Sequence, residues 1–246
     1  MKPIPAIKIC CIRSLEEAQL AAKYGAKYIG LVAWMPSGPG VITEEKIIEI
    51  NDLAPRTVTP VLLTSEFDVD RIIKQVERTG VEAVQLVRQL PVFDRKKLRD
   101  ELWDVEIFQV VHVLGEESIE EALKCAEFAD KLLLDSGNPK SNILGGTGRT
   151  HNWAVSRKIV DQARIPVFLA GGLKAENIAK TIKHVQPAGV DVCSGIRRDN
   201  MLAEDLLYTY VGNVHDYYTE KEKKRRRRPK RWRWKKKSQP NKNKNA

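Results

Sequence analysis

The pattern of hydrophobic and polar residues repeats eight times along the first 214 residues. Each repeat has a short apolar run typical of a buried strand, followed by a segment with the apolar spacing of an amphipathic helix. Strands are predicted at 6–12, 28–33, 57–63, 83–87, 106–113, 131–135, 166–170 and 189–193. Helices are predicted at 14–24, 43–51, 68–79, 94–102, 118–128, 153–163, 175–184 and about 201–214. Capping-box patterns mark two of the helix starts, Ser14 with Glu17 and Ser118 with Glu121.

Eight strand–helix units in succession imply a parallel sheet covered by helices. The leading architecture is therefore an α/β fold of the closed (β/α)8 type, a TIM barrel, at the small end of its usual size. A doubly wound open sheet is the alternative. The chain has no G-x-G-x-x-G sequence after its first strand, which counts against a dinucleotide-binding sheet.

Residues 131–153, KLLLDSGNPKSNILGGTGRTHNW, combine an acid with a glycine-rich loop. Asp135 ends a buried strand, where an unpaired charge is costly unless it is solvated or used. The loop that follows contains Gly146 and Gly148 and leads into a helix, an arrangement that presents backbone N–H groups to an anion. The alternative interpretation is a solvent-facing aspartate followed by a flexible loop.

Two further strand ends are rich in small residues. In a (β/α)8 barrel the chemistry lies at the carboxyl ends of the strands, with a phosphate site expected after strands seven and eight. Those positions carry LAGGL at 169–173 and DVCSGI at 191–196. The simpler interpretation is that these glycines only make tight turns.

The net charge of +10 divides unevenly along the chain. Residues 221–246 hold 15 basic side chains and one acidic side chain, and the remainder carries a net charge of −4. We therefore predict a mildly acidic barrel domain over residues 1–218 and a disordered or irregular polybasic tail over 219–246.

The basic run KEKKRRRRPKRWRWKKK at 221–237 interleaves cations with Trp232 and Trp234. This composition suits RNA or single-stranded nucleic acid, and an anionic membrane surface nearly as well. A nuclear-import signal and a merely solubilising tail are the other interpretations.

Localisation is predicted from what the sequence lacks and from its cysteines. No run of about 18 apolar residues is present, and the N-terminus does not resemble a signal peptide. Four cysteines without zinc-site spacing, two of them adjacent, fit a reducing cytoplasm best. The oligomeric state is not predicted.

Five motifs in order resemble the phosphoribosylanthranilate isomerase family, (β/α)8 enzymes of tryptophan biosynthesis. The resemblance covers about residues 6–212, and Val84-Gln85-Leu86 also fits it. The motifs are Lys8-Ile9-Cys10, Leu133-Leu134-Asp135-Ser136, Gly145-Gly146-Thr147-Gly148 with Trp153, Leu169-Ala170-Gly171-Gly172-Leu173 with Glu176-Asn177, and Asp191-Val192-Cys193-Ser194-Gly195.

The resemblance implies an Amadori rearrangement of a phosphoribosyl amine. Cys10 would be the general base at the sugar C2 and Asp135 the general acid at the ring oxygen, so burial should raise the pKa of Asp135 and a cation should favour the Cys10 thiolate. No metal or organic cofactor is required. The implied substrate- and phosphate-binding residues are Gly146, Gly148, Gly171, Gly172, Asp191, Ser194 and Gly195.

Three positions depart from the family pattern. Cys11 replaces the glycine that usually follows the catalytic cysteine, and Gly40 stands where an arginine usually pairs with the anthranilate carboxylate. Losing such a contact costs about 1.5–3 kcal/mol. The third is the end of strand four, where Val87-Arg88 stands in place of the usual His-Gly, and Arg88 is either a substitute cation or a surface charge. An isomerase of another phosphorylated sugar amine and a phosphate-binding barrel therefore remain alternatives.

Overall fold

A computed structural model describes residues 4–136 and 152–226, with side chains to Tyr217. Its eight long strands pair in sequence order, and the eighth pairs with the first in parallel, so the sheet closes into a barrel. This confirms the predicted (β/α)8 fold and excludes the open sheet. The strands are β1 Ala6–Ile9, β2 Tyr28–Val32, β3 Thr59–Thr64, β4 Ala83–Leu86, β5 Glu106–His112, β6 Lys131–Asp135, β7 Val167–Leu169 and β8 Gly189–Val192.

One α-helix follows each of these strands and covers the outside of the barrel. A short 3₁₀ helix, Ser194–Ile196, and a two-stranded ribbon, β9 Arg197–Arg198 with β10 Met201–Leu202, precede the last helix. The helices are α1 Leu15–Lys23, α2 Glu44–Leu53, α3 Val69–Thr79, α4 Val92–Glu101, α5 Glu117–Cys125, α6 Trp153–Gln162, α7 Ala175–Val185 and α8 Glu204–Arg226.

The two predicted helix caps have different outcomes. Ser14 accepts a hydrogen bond from the Glu17 backbone N–H at 3.3 Å, as predicted. Ser118 was predicted to begin α5, and this is wrong. It lies inside the first turn, where its hydroxyl accepts from the Leu114 backbone N–H at 3.1 Å and so ties the preceding loop to the helix.

The last helix is longer than predicted. Its first half packs into the core through Leu207, Tyr210 and Val214. Its backbone then continues to Arg226, beyond the predicted end near residue 214 and into the segment predicted as tail. Lys, Arg and Glu have high helix propensity, which explains the extension. The rest of the basic run, from residue 227 onward, lies outside the described residues.

The core has two layers. One lies between the strands and the surrounding helices, and the other fills the barrel interior. Three aromatic rings, Tyr28, Phe108 and Phe168, contact one another edge to face in the interior, with centroids 5.1 to 5.7 Å apart. Gly189 leaves room for the Phe168 ring, since a Cβ there would overlap it. These rings close the barrel beneath the carboxyl ends of the strands.

Strand alternation selects the side chains that face the interior. Successive residues of a strand point to opposite faces, so Lys8 and Cys10 face inward while Ile7 and Ile9 pack against helices. The same alternation turns Asp135 inward at the end of β6. No helix among residues 4–136 and 152–226 is long and apolar enough to cross a membrane.

Candidate active site

A cavity of about 720 Å³, including its opening, lies at the carboxyl ends of the strands. This is the face on which barrel enzymes carry out their chemistry. Its wall is formed by residues of β2, β3, β4, β6 and β8 and by residues that follow β1 and β7. The described lining residues are Cys10, Cys11, Val32, Met35, Ser37, Gly38, Pro39, Leu63, Gln85, Val87, Leu133, Asp135, Ala170, Gly171, Gly172, Leu173, Asp191, Val192, Cys193 and Ser194.

Cys10 follows directly on β1 and is held by two backbone contacts. Its N–H donates to the Val192 carbonyl of β8 at 2.8 Å. Its carbonyl accepts a hydrogen bond from Arg197 Nη2 at 3.3 Å. Arg197 is itself buried in an ion pair with Glu17, at 2.9 Å. The thiol therefore projects into the cavity from a backbone that is fixed on two sides.

Lys8 and Asp191 form a buried ion pair across the β1–β8 seam. The two residues are direct register partners, and Lys8 Nζ lies 3.1 Å from Asp191 Oδ1. Burial opposes the charged ammonium, but the negative charge of Asp191 and the nearby Cys10 thiol outweigh it, so the pKa of Lys8 is raised. Lys8 is therefore a fully buried cation behind the wall of the cavity.

Lys8 and Cys10 lie close together because Gly30 has no side chain. A Cβ on Gly30 would stand 2.8 Å from Cys10 Sγ and 3.1 Å from Lys8 Nζ. The family resemblance implies a cation beside the thiol of Cys10, and Lys8 lies where it can act as that cation. Any residue with a side chain at position 30 would displace one of these two groups.

Asp135 lies across the cavity from β1, at the end of β6. Its Oδ1 accepts hydrogen bonds from the Ser136 backbone N–H at 2.7 Å and from the Ser136 hydroxyl at 3.4 Å. Burial raises the pKa of Asp135, and the Ser136 hydrogen bonds and Lys8 only partly oppose it. Burial also raises the pKa of Asp191, against the attraction of Lys8. These two carboxyl groups repel each other when both are charged, which favours one of them carrying a proton.

The loops after β7 and β8 expose backbone at the cavity. Gly171 and Gly172 both have left-handed conformations, with φ of 81° and 62°, which glycine adopts without strain. Asn177 fixes this loop, because its Nδ2 donates to the Gly172 carbonyl at 2.8 Å. Gly195 packs against the Leu173 carbonyl so closely that a Cβ would overlap it. The two glycine loops are thus packed together beside the cavity.

Cys11 has a left-handed backbone, with φ of 64°. This conformation favours glycine, which explains why a glycine is usual at this position in the family that the sequence resembles. The Cys11 side chain points toward Gly40, where an added Cβ would lie 2.5 Å from the Cys11 Cβ. Two of the three departures from the family pattern are therefore in direct contact.

The structure brings most of the predicted site residues together, but not all. Cys10, Asp135, Gly171, Gly172, Asp191 and Ser194 line one cavity. Gly195 stands behind this wall, within the 3₁₀ helix. Gly146 and Gly148 lie outside the described residues.

Arg88 is not among the lining residues. Val87 is a lining residue, and the Arg88 carbonyl accepts a hydrogen bond from Gln109 Nε2 at 3.2 Å. The role of Arg88 as a substitute cation stays a prediction. His112 is buried, with Nε2 3.3 Å from the Val87 carbonyl, so it is an interior histidine rather than a lining residue.

Two polar residues in or beside the cavity belong to the quoted motifs but are not predicted as site residues. Nothing in the sequence reveals the pairing of Lys8 with a residue 183 positions away. Gln85 lines the cavity, and its Oε1 accepts no hydrogen bond from the described residues. Within those residues no group of three or more His, Cys, Asp or Glu side chains is arranged to hold a metal ion.

The closed barrel, with a thiol and a carboxyl at one cavity at the carboxyl ends of its strands, defines the class, a (β/α)8-barrel protein with groups suited to acid–base catalysis. A family model described as N-(5'-phosphoribosyl)anthranilate (PRA) isomerase matches residues 7–209. The chain belongs to the N-(5'-phosphoribosyl)anthranilate isomerase family, and the resemblance inferred from its motifs is confirmed.

Relatives and solved structures agree with this assignment. The chain is 34% identical to N-(5'-phosphoribosyl)anthranilate isomerase 2 of Methanosarcina mazei over 201 residues, which cover 81% of this chain and 89% of the relative. The crystal structure of phosphoribosyl anthranilate isomerase from Thermotoga maritima is 28% identical, with a TM-score of 0.74 over 86% of this chain and 99% of that chain. A further isomerase structure, in complex with reduced 1-(o-carboxyphenylamino)-1-deoxyribulose 5-phosphate, is 26% identical, with a TM-score of 0.72 and the same coverage of both chains.

Proposed function

We propose that this chain converts N-(5'-phosphoribosyl)anthranilate into the open-chain 1-(o-carboxyphenylamino)-1-deoxyribulose 5-phosphate. The observation that carries the proposal is that Cys10 and Asp135, the predicted base and acid, line one cavity beside the two glycine loops. Family membership supplies the reaction class. The geometry of the described residues is compatible with each step of that reaction.

Ring opening is assigned to Asp135. Its raised pKa keeps the carboxyl protonated to a higher pH than a free aspartate, so it can donate a proton to the ring oxygen. The C1–O bond then breaks as the nitrogen lone pair forms a C=N bond to C1. Asp135 is left as a carboxylate near the Lys8 ammonium, whose charge favours that product of the step.

Proton abstraction from C2 is assigned to the Cys10 thiolate. The C2–H electrons form a C1–C2 double bond, and the nitrogen regains its lone pair. The resulting enolamine becomes the C2 ketone by proton transfer from the C2 hydroxyl to C1. The Lys8 ammonium lies beside Cys10, and Asp191, held by Lys8, lies where it can accept a hydrogen bond from a sugar hydroxyl.

The phosphate is placed at the loops after β7 and β8. Backbone N–H groups of Gly171, Gly172, Ser194 and Gly195 are candidates to bind it, since left-handed glycines let backbone approach an anion closely. No lysine or arginine is found among the described lining residues. Phosphate binding here would rest on backbone donors and, at longer range, on buried cations.

Turnover of phosphoribosylanthranilate, followed by loss of its fluorescence, tests the proposal. Cys10→Ser and Asp135→Asn should each reduce kcat by about 10²–10⁴-fold, the usual contribution of a general acid or base. Cys125→Ala and Asp161→Asn are matched controls on helices α5 and α6 and should retain activity. A wild-type chain that is as inert as both variants would refute the proposal for this substrate.

A second substrate is favoured by one observation. The arginine expected to pair with the anthranilate carboxylate is replaced by Gly40, and the described cavity wall offers no cation in its place. An isomerase for another phosphorylated sugar amine fits such a wall. Comparing kcat/KM for phosphoribosylanthranilate and phosphoribosylaniline decides between them, because only the first has a carboxylate for the wall to recognise.

Two further points are proposals. The cysteine pattern, four cysteines without zinc-site spacing and two of them adjacent, favours a reducing cytoplasm. The basic run at 221–237 is proposed to bind nucleic acid, with an anionic membrane surface as the competing target. RNA binding that weakens steeply with salt and is lost on deletion of residues 227–246 would support the first. Salt-independent binding, or binding that survives the deletion, would contradict it.

A further inference from the structure

Two cysteines at the cavity are paired without any role in the proposed reaction. Cys11 follows β1 and Cys193 follows β8, and their sulfur atoms lie 2.6 Å apart. Both are free thiols in this structure. We propose that Cys11 and Cys193 form a reversible redox couple, a modification site at which mild oxidation closes a disulfide across the β1–β8 seam. This inference goes beyond the isomerase activity.

The strand register makes the couple geometrically feasible. Ile9 and Val192 are direct partners at the ends of β1 and β8, and the Cys10 N–H bonds to the Val192 carbonyl. Cys11 and Cys193 follow these two paired strand ends by two residues and one residue, and their sulfur atoms lie 2.6 Å apart, close to the about 2.0 Å of a disulfide bond. The two thiols thus need only a small movement to bond.

The surroundings make Cys193 the nucleophile of the couple. The hydrogen bond with Cys11 lowers the pKa of Cys193, burial opposes this, and the Arg197 guanidinium adds to the lowering. Hydrogen bonds with Cys10 and Cys193, together with burial, raise the pKa of Cys11 well above its ordinary value. Cys193 is half-buried and lines the cavity, so a small oxidant can reach it.

Hydrogen peroxide is a sufficient oxidant, and the chemistry balances in two steps. The Cys193 thiolate attacks one peroxide oxygen, the O–O bond breaks, and a sulfenic acid and hydroxide form. The Cys11 sulfur then attacks the Cys193 sulfur and displaces hydroxide. The Cys11 proton and one from solvent leave both hydroxides as water. Two thiols have lost two electrons and one peroxide has gained them.

Peptide mapping under non-reducing conditions tests the couple. Full-length protein treated with one equivalent of peroxide should yield a cross-linked species of the peptides that carry Cys11 and Cys193, and dithiothreitol should reverse it. Cys11→Ser and Cys193→Ser should each abolish the cross-link, while Cys10→Ser and Cys125→Ala should retain it. A disulfide between Cys10 and Cys11, or a cross-link that survives Cys193→Ser, would overturn the proposal.

Two measurements on the wild-type chain avoid dependence on variant folding. Cys193 should alkylate at least about 10-fold faster than Cys125 at pH 7, because the pKa of Cys193 is lowered and its side chain lines the cavity, whereas burial raises the pKa of Cys125 to about 11. Oxidation should also raise Tm, because the bond ties the first strand to the last, and dithiothreitol should reverse the rise. Equal alkylation rates of Cys193 and Cys125, or an unchanged Tm after stoichiometric oxidation, would contradict the proposed redox couple. None of these readouts uses isomerase turnover.

Discussion

Cys11 and Gly40 fit each other at the rim of the cavity, where a Cβ on Gly40 would lie 2.5 Å from the Cβ of Cys11. Both residues have left-handed backbones, with φ of 64° for Cys11 and 86° for Gly40. Both also replace residues usual in the family, a glycine and an arginine. The Cys11 side chain therefore excludes any side chain at position 40, and the two replacements depend on each other.

A double-mutant cycle measures this dependence. Gly40→Ala should lower the free energy of unfolding through both its positive φ and its overlap with Cys11. Cys11→Gly removes the overlap with the Cys11 side chain and leaves only the Cα of residue 11, at 3.0 Å. The double variant should therefore recover part of the loss, with a coupling energy of about 0.5–3 kcal/mol, read from urea unfolding. Strictly additive effects would mean that the two side chains do not compete for space.

Lys8→Met should destabilise the chain more than any surface substitution. Removing one partner of a buried ion pair leaves the other uncompensated, at a cost of about 3–5 kcal/mol. The matched double variant, Lys8→Met with Asp191→Asn, should recover much of this stability because no buried charge remains. Urea unfolding at pH 7 measures both. If Lys8→Met had the same free energy of unfolding as wild type, the Lys8 ammonium would not compensate the buried charge of Asp191.

Activity should follow a different course in those two variants. Lys8→Met removes the cation beside Cys10, so kcat should fall, and the double variant should not restore it even where stability returns. Recovery of kcat together with stability would mean that Lys8 acts only through folding.

Asp135 should control the alkaline side of the activity profile. The reaction needs its protonated form, and burial raises its pKa, so kcat/KM should decline as pH rises through a value above that of a free aspartate. Ser136→Ala removes a hydroxyl that stabilises the carboxylate and should shift this decline to higher pH. A decline that is unmoved in Ser136→Ala would assign the titration to another group.

The raised pKa of Asp135 also has a consequence for folding: this carboxyl serves turnover but destabilises the folded chain at neutral pH. A folded-state pKa above the unfolded value contributes stability at low pH that is lost as pH rises through the folded value. At pH 7 the wild-type chain is therefore destabilised by Asp135, and Asp135→Asn should raise Tm while it lowers turnover. Thermal unfolding at pH 4 and pH 7 measures this, and the gain should shrink at pH 4. A Tm that falls at pH 7 would contradict the raised pKa.

The phosphate loops give a prediction that separates binding from chemistry. Gly195→Ala would push its Cβ into the Leu173 carbonyl and move the two loops apart. KM should rise while kcat changes less, and inhibition by inorganic phosphate should weaken in parallel. Gly212 on α8, which has nothing within 4 Å of an added Cβ, provides a matched control as Gly212→Ala. A selective loss of kcat would place the phosphate elsewhere.

The barrel was predictable because its information is local. Each apolar run and each amphipathic helix is visible within a short window, and eight such units in succession leave few arrangements. The end of α8 was not predictable, because the charged residues after 214 are compatible with a helix and also with a solvated tail. Ser118 was misassigned as a cap since its hydroxyl serves the preceding loop instead.

The site residues were predictable only where they belong to a sequence motif of the family. Cys10 and Asp135 were identified because their motifs end predicted strands. Lys8 was missed because its partner comes from the other end of the chain, and only the β1–β8 register brings them together. The contact between Cys11 and Gly40 depends on two positive φ values, which sequence alone does not reveal. Arg88 was a candidate because it follows strand four, and it is not among the described residues that line the cavity.

A structure of this chain with reduced 1-(o-carboxyphenylamino)-1-deoxyribulose 5-phosphate tests the central claim most directly. The account predicts the phosphate on the backbone of Gly171, Gly172 and Ser194, and the sugar chain between Cys10 Sγ and the Asp135 carboxyl. Both reacting groups should lie within about 3.5 Å of the atoms they serve. A ligand bound away from either group, with the cavity between them empty, would contradict it.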